Sequence, residues 1–64
     1  MEWIDAKTEL PDGYLQKYYL KINWNVKIVG TIRTVGFWNA ENKKFHTDNR
    51  GLFSKKYVQW LKEE

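Results

Sequence analysis

A chain of 64 residues with 11 Lys and Arg against 8 Asp and Glu, no cysteine and a single histidine has room for one domain and no covalent staple for it. That composition excludes a disulfide scaffold and a thiolate metal site, and no apolar run approaches the roughly 20 residues of a membrane-spanning helix. The interior must therefore be dense, and aromatics supply the density: four Trp, four Tyr and three Phe make up 17% of the chain, and each can bury about 150–250 Å².

The net charge of +3 is unevenly placed. Residues 1–12 hold Glu2, Asp5, Glu9 and Asp12 against Lys7, whereas residues 13–62 hold Lys17, Lys21, Lys27, Arg33, Lys43, Lys44, Arg50, Lys55, Lys56 and Lys62 against Glu41 and Asp48. A partner that reads charge would meet a basic middle. The acidic start, without the basic n-region of a signal peptide, fits a cytoplasmic protein.

In chain order, Glu2 to Asp5 reads as a short strand, with a helix over residues 3–10 as the competing reading, and Pro11-Asp12-Gly13 is turn chemistry. Tyr14 to Asn23 alternates: Tyr18, Leu20 and Ile22 share one face, and Lys17, Tyr19, Lys21 and Asn23 the other. Val26 to Trp38 is the most β-branched and aromatic run, with Val26, Ile28, Gly30 and Ile32 on one face and Lys27, Val29, Thr31 and Arg33 opposite. The two segments predict a hairpin with the three-residue loop Asn23-Trp24-Asn25, Asn25 left-handed, Ile22 facing Val26, Leu20 facing Ile28 and Tyr18 lying over Gly30.

Val35 and Phe37 then break the phase, which predicts a turn at Thr34 to Gly36 and a third strand at Gly36-Phe37-Trp38. Asn39 to Asn42 reads as a second turn, Lys43 to Thr47 as a short strand with Phe45 buried, and Asp48 to Gly51 as a third turn. At the C-terminal end Phe53, Tyr57, Trp60 and Leu61 have helical spacing and Ser54 suits a cap. A helix there would set Lys55 and Lys56 at its positive end and Glu63 and Glu64 at its negative end, so a strand over Tyr57 to Lys62 is preferred and a short helix is the alternative. The whole predicts one all-β domain over residues 1–64: a small antiparallel meander of four to five strands, open or partly closed as a barrel, with Trp3, Trp38 and Trp60 in the core.

Trp3-Ile4, Leu10-Pro11 after five intervening residues, Gly36-Phe37-Trp38, and Val58 spaced by one residue from Trp60 resemble, in this order, the pattern of a small phage and prophage family designated domain of unknown function 551. That pattern opens W-I-x(5)-L-P and closes V-x-H-W-M-P-L-P. The resemblance implies a compact β domain of phage or bacterial genomes whose terminal segments pair, and it brings no activity with it. Gln59 stands at the histidine of the closing motif, and Leu61 to Glu64 replace its Met-Pro-Leu-Pro tail.

The residue types argue against catalysis: one histidine, no cysteine, and acids gathered mostly in the first dozen positions do not supply a titratable cluster. His46 near Asp48 falls short of a metal site, the isolated glycines make no phosphate cradle, and no cofactor is implied. Gly30 is expected to pack beneath Tyr18, and Gly36 and Gly51 to make turns. The candidate binding residues are Lys17, Tyr19, Lys21, Lys27 and Arg33, a basic stripe interleaved with an aromatic on the outer face, and Trp24 at a loop tip. Two readings follow: a non-enzymatic interaction module that binds a protein partner or itself, or a nucleic-acid-binding domain that holds the backbone on the stripe.

Overall fold

The computed structural model describes residues 1–24, 27 and 30–63. Strands β1 (Glu2–Asp5), β2 (Tyr18–Ile22), β3 (Ile32–Asn39), β4 (Lys44–Thr47), β5 (Leu52–Phe53) and β6 (Val58–Lys62) form one antiparallel sheet in the order β1-β6-β2-β3-β4-β5. The expected all-β architecture and terminal pairing are both present, with a sixth strand because Leu52–Phe53 folds back onto β4. β2 to β5 make a meander; β6 then returns to lie between β1 and β2. The sheet is open, with β1 and β5 at its edges.

Period-two alternation decides which side chains go inside. Leu20, Ile22, Phe45, Val58 and Trp60 are buried on one face, and Ala6 closes over them. Ile4, Leu10, Tyr18, Ile32, Trp38, Phe53 and Tyr57 pack around this cluster. The cover comes from the segment after β1. Asp5 starts a tight turn by accepting from the Lys7 amide (2.9 Å), while the Ala6 amide donates to the Val58 carbonyl (3.0 Å) and draws the chain across the core.

The link from β5 to β6 spans only residues 54–57, yet β2, β3 and β4 lie between those strands in the sheet. The sheet must therefore curl. A 3-10 turn over Lys55–Tyr57 makes the crossing, with the Ser54 side chain accepting from the Lys56 amide, and the chain becomes extended again at Val58. Both expectations for this segment hold a part of the truth: Ser54 caps, but for a single turn, and Val58–Lys62 is the strand with Val58 and Trp60 inward.

The central hairpin is corrected. β2 pairs with β3 in the register Tyr18↔Gly36, Leu20↔Thr34 and Ile22↔Ile32, not with Val26, Ile28 and Gly30. Residues 23–31 are the connection, and Asn25, Val26, Ile28 and Val29 lie outside the described residues. The expected turn at Thr34 to Gly36 is replaced by uninterrupted strand. Val35 and Phe37 do not break the phase; they are apolar residues on the outer face, and Ile32, Thr34, Gly36 and Trp38 continue the inner one. The glycine roles are exchanged accordingly. Gly36 is the buried one opposite Tyr18, whereas Gly30 has a left-handed backbone (φ 73°). Gly51 (φ 87°) makes its turn as expected.

Candidate interaction face

The outer face of the sheet is built from the alternate residues. In an antiparallel ladder, residues opposite one another point to the same side, so the pairs Asp5↔Gln59, Lys21↔Gln59 and Lys21↔Arg33 form one polar row across β1, β6, β2 and β3. One step along the strands, Trp3↔Leu61 and Tyr19↔Val35 form a second row on the same four strands. Beyond it, Phe37↔His46↔Leu52 continue across β3, β4 and β5. An apolar and aromatic band thus crosses the outer face from edge to edge. Tyr19 is 60% exposed, Leu52 52% and Trp3 36%.

Of the residues expected on a binding stripe, Tyr19, Lys21 and Arg33 are brought together. Lys21 and Arg33 stand directly opposite one another, a like-charge pair that costs a few tenths of a kcal/mol or more. The Lys21 ammonium leans away and lies 4.3 Å from the centre of the Trp3 ring, where the ring's negative face attracts it. Lys17, just before β2, is drawn into an ion pair with Asp48 at 2.9 Å, so its charge is offset. Lys27 is exposed in the connection between β2 and β3. Thr31 donates to the Asn23 side chain at 3.2 Å.

Trp24 is exposed at 46%, and its ring meets Tyr57 edge-on at 4.9 Å and Phe53 at 6.3 Å, on the opposite side of the sheet from Tyr19. The reason is the curl of the sheet, which brings two distant aromatics beneath the end of β2. Trp3 is corrected: it belongs to the outer band, not the core. Ile4, its neighbour, is the inward residue, paired with Trp60. Trp38 and Trp60 are in the core region as expected.

The expected stripe does not include Trp3, Val35, Phe37, His46, Leu52 and Leu61, which the register places on this face. Alternation alone could have placed Leu61, because Val58 and Trp60 are inward. For Val35 and Phe37 the misleading signal was apolarity itself. His46 stacks on Phe37 (5.1 Å between centres, 23° between planes), and the Asn42 side-chain nitrogen lies 2.8 Å from its Nε2, which accepts when the proton sits on Nδ1. Among the described residues no group of three or more His, Asp or Glu is placed to hold a metal ion.

Beside the band, a groove of about 500 Å³ runs between the segment after β1 and the ends of β2 and β6, lined by Glu9, Asp12, Lys17, Tyr19, Leu61 and Lys62 among others. Lys62 donates to the Glu9 carboxylate at 2.9 Å, and that hydrogen bond together with the Glu9 charge holds its ammonium pKa above the ordinary lysine value. The Trp60 indole N–H donates to the Glu9 carbonyl at 2.8 Å. Among the described residues, no helix is long and apolar enough to cross a membrane. Comparison of the chain with known protein families, curated proteins and solved structures finds no match.

Proposed function

We propose that this domain is a non-enzymatic protein-interaction module of a phage or prophage system, and that it docks through the outer sheet face. The observation that carries the reading is the band of Trp3, Leu61, Tyr19, Val35, Phe37 and Leu52. In a chain this short, apolar side chains are scarce, and placing six of them outside the core costs solubility unless a partner covers them. Tyr19 and Trp3 are the rigid amphipathic residues that dominate protein interfaces, and Lys21 and Arg33 supply a polar rim. The phage association rests on the sequence resemblance, whose opening and closing motifs meet where Ile4 pairs with Trp60.

The nucleic-acid reading keeps one supporting observation, the Lys21 and Arg33 pair beside an exposed Tyr19. It is weaker because Lys17 is engaged by Asp48 and Lys27 lies off the strands that carry the band. The experiment is site-specific photo-crosslinking in the source cells, with the photoreactive residue at position 19 and, as control, at position 55. Discrete protein adducts from position 19 alone are expected, and Val35→Glu should remove them. Adducts that are absent, or equal from both positions, would overturn the proposal.

A further inference from the structure

We infer that the partner of this face is a second copy of the chain, packed face to face about a twofold axis that runs along the strands between β6 and β2. The inference rests on the interaction reading above and names its occupant. Its basis is the order of side chains across the four strands. The polar row reads Asp5, Gln59, Lys21, Arg33, acidic at the β1 end and basic at the β3 end. The apolar row beside it has Trp3 and Leu61 on β1 and β6, and Tyr19 and Val35 on β2 and β3.

A twofold axis of that kind reverses each row across the strands and leaves its position along them unchanged. Asp5 then meets Arg33 of the second copy and Gln59 meets Lys21, while Trp3 meets Val35 and Leu61 meets Tyr19. Carboxylate faces guanidinium at both ends and every apolar residue of the row faces another. The self-complementarity that an isologous contact requires is therefore present in the strand order itself. Moving the axis toward β3 costs the match, because Lys21 would oppose its own symmetry mate or Arg33 would face Lys21, and moving it toward β1 leaves Arg33 of each copy beyond the edge strand of the other. The Asp5 carboxylate is half exposed; one oxygen accepts from the Lys7 amide at 2.9 Å, and the other lies 3.9 Å from the Lys7 ammonium, an exposed pair weak enough to exchange.

The matched patch spans three inter-strand gaps, about 14 Å, by two residues along the strand, about 7 Å. A contact of that size is smaller than specific stable interfaces, so association is weak and concentration-dependent. Sedimentation equilibrium over roughly 10 µM to 1 mM covers the range in which it should appear. The expected result is a mass rising from 7.8 kDa toward twice that value. Arg33→Asp alone and Asp5→Lys alone should each hold the chain monomeric, and an equimolar mixture of the two should dimerise, because both of its ion pairs are restored.

If Asp5→Lys disrupts the turn that begins at Asp5, Tyr19→Glu, at an exposed strand position, takes its place and should abolish association. A wild-type chain that stays monomeric throughout, or dimers indifferent to Tyr19→Glu and Arg33→Asp, overturns the inference. The interaction reading would survive that result if position 19 still crosslinks to a different protein. Both fall together if it crosslinks to nothing.

Discussion

Gly36 shows how a single position can fix the register of a strand pair. A Cβ there would run into the carbonyl of His46 on β4 and crowd the Leu20 side chain, and a backbone atom in a paired strand cannot swing aside. Gly36→Ala should therefore destabilise the domain by about 3 kcal/mol, at the upper end for overpacking, read as the shift in a urea midpoint. Among the described residues a Cβ at Gly30 meets no neighbour, so Gly30→Ala strains its left-handed backbone at a cost nearer 1 kcal/mol. Trp60 is the corresponding case for a side chain. Trp60→Phe removes the indole N–H that the Glu9 carbonyl accepts and leaves a void in the core, for a loss of about 2–3 kcal/mol. Lys62 gives a pH signature. Its pKa is raised in the folded chain, so the stabilisation from the Glu9 pair is full below the free lysine value of about 10.4 and fades as pH climbs through the raised value. Lys62→Met should slightly lower the melting temperature at neutral pH and leave it nearly unchanged in strong alkali.

At the scale of elements, β6 is the central support of the sheet. It pairs on one side with β1 and on the other with β2, and it carries Val58 and Trp60 into the core. Removing residues 1–5 would bare the β6 edge and take away Ile4, which sits opposite Trp60. Such a truncation should unfold or aggregate, as judged by loss of dispersed amide resonances, since an exposed edge strand is a template for further pairing. Amide exchange should be slower in β6, β2, β3 and β4, which have a strand on each side, and fastest in the two-residue β5 at one edge. The elements also show where period-two reading works and where it fails. The strand within Tyr14–Asn23 and the buried Phe45 could be read from alternation, because a short alternating run has few other ways to bury its apolar face, whereas Glu2–Asp5 does not alternate and competed with a helix over residues 3–10. The central hairpin could not be read that way. Tyr18 over a glycine was the right pairing with the wrong glycine, since Gly30 and Gly36 lie at the same parity and alternation cannot tell them apart.

For the whole molecule, charge is the property most open to measurement. The outer face carries Lys21 and Arg33 but loses Lys17 to Asp48, so retardation of single-stranded DNA or RNA in a gel at low salt should be slight, and Lys21→Glu should change it little. Strong, steeply salt-dependent retardation abolished by that substitution would restore the nucleic-acid reading. The pairing of the ends was implied by the family resemblance, whereas the sequence by itself determined that the chain is all-β, that Trp60 and Val58 lie inside and that Tyr19, Lys21 and Arg33 share a face. Each of these follows from local alternation, which fixes the direction of a side chain once a strand is assumed. Only the tertiary structure decided that Trp24 meets Phe53 and Tyr57, that Trp3 lies outside, and that Val35, Phe37, Leu52 and Leu61 join into a band. Those outcomes depend on which strands become neighbours and how far the sheet curls, and that is set by contacts between residues far apart in the chain, which no local pattern records.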